Sequence, residues 1–215
     1  MTVRVLCLAA YAVALGVLSA IGWRWHVQVL VLLAGLQAMW GLGAWWSGRL
    51  LAGRPGRGAA AGAAFGAGAL GTYYLTEAVA DSLHSATSQL TSSGRFWVPA
   101  AVVGGAICGA IGTWATAPDR GRWIEPAALS HAVMVGGMLA ESAFVQRSDA
   151  LFGHPARLDL ATAILVVIAL VLVGTAWMRA NARALLAAGV LAALLIPSIA
   201  GLFLLVEHRF GYVTL

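Results

Sequence analysis

Residues 59–80 read AAAGAAFGAGALGTYYLTEAVA, a run in which Glu77 is the only charged residue. A helix needs about 20 mainly apolar residues to cross the hydrocarbon core of a bilayer. The length and composition of the run therefore predict a membrane-spanning helix. Seven segments of the chain fit this description: Val5–Trp23, Val27–Trp46, Ala59–Ala80, Trp97–Thr116, Ile124–Val145, Leu160–Met178 and Ala184–Val206.

The composition of the whole chain agrees with a protein embedded in a membrane. Of its 215 residues, 61% are hydrophobic and 10% are charged, whereas soluble domains contain about 25% charged residues. The mean hydropathy is +0.87. These values exclude a disordered chain, a disulfide-stapled secreted domain and an ordinary cytosolic enzyme. Because the connections are short, we expect an all-α polytopic transmembrane bundle that forms one domain over residues 1–215.

The basic residues indicate an orientation in the membrane. The net charge is +5, and all 13 basic residues are arginines in short connections, which is typical of topology signals and not of a nucleic-acid-binding face. With the N-terminus inside, the inner side carries Arg4, Arg49, Arg54, Arg57, Arg120, Arg122, Arg179 and Arg183, and the outer side carries Arg24, Arg95, Arg147, Arg157 and Arg209. This bias predicts an N-in, C-out, multi-pass protein of the cell membrane.

Glycine and proline positions predict how the helices pack. The segments Gly62–Gly66 and Gly105–Gly109 are both GxxxG motifs, which let helices approach closely, but the sequence leaves the partner of each open. Pro99 and Pro126 are expected in first helical turns, where proline is tolerated. Pro197 is expected to kink the last span.

Acidic residues at membrane depth are the strongest functional signal. Tyr73, Glu77 and Asp81 are spaced by four and share one helix face. Two carboxylates one turn apart repel when both are ionised, so we expect one to keep its proton. Glu77 is the better candidate because Asp81 is nearer the water, although the assignment could be reversed. Structural roles are the alternative: Glu77 bonded to a neighbouring hydroxyl, and Asp81 at a helix end in water.

A third acid, Glu141, lies at a similar depth in the fifth span. If the third and fifth spans pack together, these acids converge on a pocket near the outer leaflet. A structural alternative pairs Glu141 with an arginine at the interface. His131 lies two to three turns deeper, where a hydrogen-bonded bundle histidine is the alternative. Other residues expected to line an apolar, substrate-binding cavity are Gln37, Trp40, Tyr73, Tyr74 and Trp114.

No motif for a nucleotide, metal or cofactor is found. GxxxxGK[ST], DDxxD, HExxH and GxSxG are absent, and no GxGxxG follows a strand. An enzyme here is expected to work without metal or cofactor, through carboxylates that transfer protons. Its partners are expected to be the lipid bilayer and an apolar small molecule, with no nucleic acid.

Two resemblances go further than these patterns. The stretch Tyr73-Tyr74-x-x-Glu77, then Trp97 and the helix Gly104-Gly105-x-x-x-Gly109-x-x-Gly112, resembles a family of small actinobacterial membrane proteins over the second to fifth spans. The size, the seven spans, the missing metal motifs and the acids on separate helices are similar to integral-membrane terpene cyclases of the drimentine type.

The second resemblance implies proton-initiated cyclisation of a linear isoprenoid or prenylated substrate. In that reaction an acid protonates a terminal alkene or epoxide, and a base ends the cascade. The resemblance implies Glu77 or Asp81 as the donor and Glu141 as the second acid or base. The alternative from a different class is a small proton- or cation-coupled transporter or substrate-binding subunit, in which buried acids bind a cation or relay protons. A structural or assembly protein without a small ligand is a third possibility.

Overall fold

The part of the chain that a computed structural model describes is α-helical and contains no strand. The described residues are 2–25, 27, 30, 37–51, 54–80, 87, 94–117, 125–138, 159–177, 182, 186, 189–190 and 193–194. The helices are α1 (Thr2–Arg24), α2 (Gln37–Arg49), α3 (Pro55–Ala80), α4 (Gly94–Gly112), α5 (126–138) and α6 (Asp159–Trp177), and a 3-10 helix, Thr113–Thr116, follows α4.

The all-α prediction is confirmed for these residues. Helices α1, α3, α4 and α6 coincide closely with predicted spans, while α2 and α5 cover parts of theirs. Most of the last predicted span, including Pro197, lies outside the described residues. Pro126 begins α5, and the amide of Leu129 donates to the carbonyl of Glu125 (3.1 Å) as the first helical hydrogen bond. The prediction that Pro99 lies in a first helical turn is wrong, because α4 begins at Gly94 and Pro99 lies further inside the helix.

Two described helices are long and apolar enough to cross a membrane, over Val3–Arg24 and Trp97–Thr116, and a shorter apolar stretch covers Val167–Ala176. Helix α3 has 26 residues, which corresponds to a length of about 39 Å. Its many glycine and alanine residues make it less apolar than α1 and α4. Helix α3 is therefore long enough to cross a membrane, and it differs from α1 and α4 in its lower apolar content.

The chain divides into two compact units, Met1–Thr116 and Ala117–Leu215, and the prediction of a single domain stays a prediction. In the first unit α3 packs against α1, α2 and α4, and α2 also packs against α4. The buried cluster is built mainly from small side chains, Ala12, Leu15, Ala44, Phe65 and Ala69. Small residues in the centre let the helix axes approach closely.

Large apolar side chains lie on the outside of this unit. Val79 is 82% exposed, and further exposed residues on α1, α3 and α4 include Val3, Val5, Leu6, Leu75, Val103 and Ile107. A water-soluble bundle buries such side chains because exposure of apolar surface to water costs about 25 cal/mol per Å². Large apolar side chains on the outside are typical of helices that contact lipid.

Helices α3 and α4 are antiparallel and meet along a line of glycines. Gly58 faces Gly109, Gly62 faces Gly105, and Gly66 faces Ala101. A β-carbon added to Gly62 would lie 2.8 Å from the Cα of Gly109. The two GxxxG motifs that the sequence left without partners therefore pack against each other. We call this contact the glycine seam.

The antiparallel pairing gathers arginines at one end of the first unit. Gly112, at the end of α4, lies against the backbone of Trp45 and Arg49 at the end of α2. Arg4 and Arg49 border the same groove, and the exposed Arg54 and Arg57 flank the start of α3. We call the end that carries Arg4, Arg49, Arg54 and Arg57 the arginine end.

Candidate functional site

Glu77 lies near the end of α3 that is opposite to the arginine end. Its side chain is buried, with 6% of its surface exposed, although the flanking Leu75 and Val79 are exposed. It is the only acidic residue of the first unit among those that the structure describes. Glu77 is thus a buried acid of the first unit, and its predicted catalytic role stays a prediction. A buried carboxyl in a mostly apolar helix is costly, which makes Glu77 the leading functional candidate.

Two tyrosines precede Glu77 by one turn. The rings of Tyr73 and Tyr74 are 5.3 Å apart between centroids and stand nearly perpendicular, at 84°. Both side chains are half-buried. The neighbouring hydroxyl of Thr76 donates to the carbonyl of Thr72 (2.8 Å). That hydroxyl is bonded to its own helix, so Thr76 is a useful reference position beside Glu77.

The contact between α1 and α3 shows which residues of α1 lie at about the same position along the helix axis as Glu77. Gly16 lies against the backbone of Ala69 and Tyr73, and Glu77 follows Tyr73 by one turn on the same face. Beyond Gly16, α1 continues through the buried residues Ser19 and Ala20. The acid thus lies one turn beyond a close backbone contact between the two helices.

The other two predicted acids, Asp81 and Glu141, lie outside the described residues. Their convergence with Glu77 stays a prediction. His131 belongs to α5 in the second unit, where it is buried with 2% exposure. Its Nδ1 lies 2.7 Å from the carbonyl oxygen of Ala127, one turn earlier in the same helix. This bond orients the His131 ring against its own helix.

The predicted aromatic residues lie in different parts of the first unit. Trp40 packs against the buried cluster of Ala44 and Phe65. Trp114 is 37% exposed in the 3-10 helix, next to Thr113, which lies against Gly58. Gly58 precedes Glu77 by a distance of about 28 Å along α3. Tyr73 and Tyr74 are thus the predicted aromatic residues that the structure brings near Glu77.

Gln37 is the first residue of α2, and its side chain lies outside the described part. Within the predicted span Val27–Trp46, Gln37 lies near the middle. Among the described residues no group of three or more His, Cys, Asp or Glu side chains that could hold a metal ion is found. Cys7 and Cys108 are free thiols.

Two grooves flank the first half of α1, and no motif in the sequence predicts either of them. The α1–α3 groove has a volume of about 890 Å³, and its lining includes Arg4, Leu8, Leu50, Phe65 and Thr72. The α1–α2 groove has a volume of about 840 Å³, and its lining includes Arg4, Cys7, Leu8, Trp46 and Arg49. Arg4, Leu8 and Leu50 border both grooves. They belong to helices distant in sequence, so no local motif reveals them.

Arg49, which borders the α1–α2 groove, packs against two aromatic rings. The guanidinium of Arg49 lies over the rings of Trp45 and Trp46, at 5.5 and 4.9 Å from their centroids. Such contacts keep an arginine at an apolar surface with its charge retained. No acidic residue contributes to the described lining of either groove. The arginine end therefore places positive charge at the mouths of the two grooves, whose walls are mainly apolar.

Comparisons with protein-family models, curated proteins and solved structures find no match for this chain. The resemblances in the sequence are therefore supported only by the residues that carry them. The class that the fold itself defines is an all-helical protein with at least two helices able to cross a membrane.

Proposed function

We propose that the chain is a multi-pass protein of the cell membrane with seven spans, its N-terminus inside and its C-terminus outside. Support comes from the large apolar side chains on the outside of the first unit and from the arginine end. Four arginines lie at that end, where α1 and α3 begin, while Arg24 ends α1 at the other side. Inner loops of membrane proteins are enriched in arginine in this way.

We propose further that the protein is an integral-membrane terpene cyclase that acts on a linear isoprenoid or prenylated substrate. The observation that carries this proposal is the buried Glu77 carboxyl with the tyrosine pair one turn away. A carboxylic acid held at a fixed position can donate its proton to an alkene or an epoxide as a general acid. The apolar substrate would reach it from the lipid.

The reaction would begin with transfer of the Glu77 proton to a terminal alkene carbon or an epoxide oxygen. The O–H bond breaks and the carboxylate keeps its electron pair. In an alkene the π electrons form the new C–H bond, and in an epoxide the protonated oxygen keeps the electrons of the C–O bond that breaks; either way a carbocation is left on the substrate. The π electrons of the next double bond then form the ring bond. Asp81 or Glu141 would remove the final proton, and water would return a proton to Glu77. The net change is an isomerisation that needs no metal or cofactor.

Tyr73 and Tyr74 would stabilise the cationic intermediates. An aromatic face attracts a cation by about 0.5–2 kcal/mol when water is excluded. The perpendicular rings present surfaces of two orientations. Folding of the substrate over these rings would also keep water from capturing the cation.

The test incubates membranes containing the full chain with linear prenylated indole substrates in H₂O and in D₂O. Because cyclisation leaves the mass unchanged, products are separated by chromatography and identified by fragmentation. We expect a cyclic product that carries one solvent deuterium when formed in D₂O. Glu77→Gln should abolish it, because the amide keeps the shape of the side chain and cannot donate the required proton.

Thr76→Ala is the matched control, because its hydroxyl bonds only to the Thr72 carbonyl in the described contacts, and it should retain the activity. Of Asp81→Asn and Glu141→Gln, the variant that removes the terminating base should also lose product. Full activity of all three acid variants would overturn the assignment. Proton-gradient-driven uptake into proteoliposomes without any product would instead favour the transporter.

A further inference from the structure

We propose that the arginine end binds an anionic two-chain phospholipid, with its phosphate at Arg4 and one acyl chain in each of the two grooves beside α1. This inference rests on the proposed embedding in a membrane and is independent of the proposed reaction. A bound lipid of this kind would complete the packing of α1 on the bundle.

The shape of the grooves fits acyl chains. Along α3 the lining of the α1–α3 groove runs from Ala61 to Thr72, a length of about 16 Å. One leaflet of a bilayer has a hydrocarbon thickness of about 15 Å, half of the core. A groove that starts at the arginine end and stops near mid-membrane therefore accommodates the chain of a lipid from the inner leaflet.

The chemistry of the lining also fits. Apart from Arg4, the polar residues of the α1–α3 groove are Ser47 and Thr72. The Ser47 hydroxyl donates to the carbonyl of Gly43, and the Thr72 hydroxyl donates to the carbonyl of Gly68 (both 2.8 Å). These hydroxyls are satisfied by their own helices. The walls consequently offer an acyl chain an apolar surface.

Charge complementarity selects the headgroup. Arg4 is exposed and borders both grooves, so a phosphate beside it would stand where the two chains of one lipid diverge. Arg49 adds a second positive charge at the mouth of the α1–α2 groove. The acid of this unit that the structure describes, Glu77, lies near the opposite end. An anionic phospholipid is therefore preferred over a zwitterionic one.

The experiment titrates the purified full chain in detergent with phosphatidylglycerol or phosphatidylcholine. Native mass spectrometry counts the bound lipids. Cys7 is exposed and lines the α1–α2 groove, so its alkylation, read peptide by peptide, reports occupancy of that groove. We expect one tightly bound phosphatidylglycerol that slows alkylation of Cys7, with weaker binding of phosphatidylcholine.

Two matched pairs of variants locate the site. Arg4→Gln should weaken phosphatidylglycerol binding about fivefold, the effect of one arginine near an anionic headgroup, while Arg57→Gln removes a charge from the same end but not from a groove and should change it less. Gly68→Leu should fill the α1–α3 groove and reduce binding of both lipids. Gly71→Leu is its control, because a β-carbon added at either glycine meets no described atom within 4 Å and Gly71 lines neither groove.

Equal effects of Arg4→Gln and Arg57→Gln would overturn the proposal, because they would indicate diffuse attraction. It would also fail if lipid left the alkylation of Cys7 unchanged, or if mass spectrometry found a second copy of the chain or an isoprenoid in place of phospholipid. Loss of product in the cyclase assay has no bearing on these measurements, so the two proposals can fail separately.

Discussion

The two sides of α3 pack in different ways, although both use glycine. Toward α4, contacts recur at every turn from Gly58 through Gly62 to Gly66. On the side that faces α1, Gly16 of α1 lies against the backbone of Ala69 and Tyr73 of α3. Nearer the arginine end, α1 carries Arg4 and Leu8, and grooves flank it.

The difference teaches that the spacing of glycines on both partners decides whether a contact closes. Glycines four residues apart on facing helices remove every side chain from the line of contact, so backbones touch along its length. A single glycine permits one point of contact. Nearer the arginine end, the α1–α3 groove lies beside these two helices, and its space is available to a ligand.

The strongest test of this comparison uses adjacent glycines of α4. A β-carbon at Gly105 would lie 3.1 Å from the carbonyl carbon of Gly62, whereas one at Gly104 meets nothing within 4 Å. Gly105→Ala should lower the free energy of unfolding by about 3 kcal/mol because backbone atoms cannot move aside. Gly104→Ala should raise it by about 0.5 kcal/mol through helix propensity. Thermal unfolding of the detergent-purified chain, followed by circular dichroism, measures both.

Similar melting temperatures of Gly105→Ala and Gly104→Ala would contradict the glycine seam. A loss of folded protein with Gly105→Ala but not with Gly104→Ala counts as the expected result, since expression and size-exclusion profiles separate a folding defect from poor yield.

A smaller effect is expected on the α1 side. A β-carbon at Gly16 would lie 2.9 Å from both the Cβ of Thr72 and the amide nitrogen of Tyr73. Gly16→Ala disturbs one close contact, whereas Gly105→Ala disturbs a seam with contacts at every turn, so Gly16→Ala should cost about 2 kcal/mol. Gly71→Ala, at an open position on α3, is the control in the same unfolding experiment. A larger loss from Gly16→Ala than from Gly105→Ala would reverse the comparison.

The smallest effect concerns the polar contact between α1 and α2. The hydroxyl of Tyr11 donates to the carbonyl of Met39 (3.1 Å), and its ring lies 5.5 Å from that of Phe65. Tyr11→Phe keeps the ring packing and removes the hydrogen bond, so we expect a loss of about 0.6 kcal/mol, as for other interhelical bonds in membranes. Tyr11→Leu removes both and should cost more. Equal losses in the two variants would assign no role to the ring.

Several features of the fold were predictable from local sequence. The helices α1, α3, α4 and α6 follow from continuous apolar runs, because a run of this length can satisfy its backbone in lipid only as a helix. The sequence also places Glu77 in an apolar run, where an acid exposed to lipid is costly. The GxxxG motifs predicted close packing but did not reveal their partners, because a motif on one helix carries no information about the facing one.

The candidate site was less predictable. Trp40 and Trp114 are both aromatic residues within apolar runs, yet one packs on the buried cluster and the other is partly exposed near the arginine end. Their depth depends on how α2 and α4 are offset along α3. That offset is a property of the packed helices and is not encoded in the spacing within either one.

The sequence by itself determined the helical class, the positions of most described helices and the apolar surroundings of Glu77, because these depend on hydrophobicity and length within single segments. Only the tertiary structure decided that the two GxxxG motifs pair, that Arg4, Arg49, Arg54 and Arg57 gather at one end, and that two grooves flank α1. These features arise between helices distant in the chain, where the register of close-packed backbones selects which residues meet.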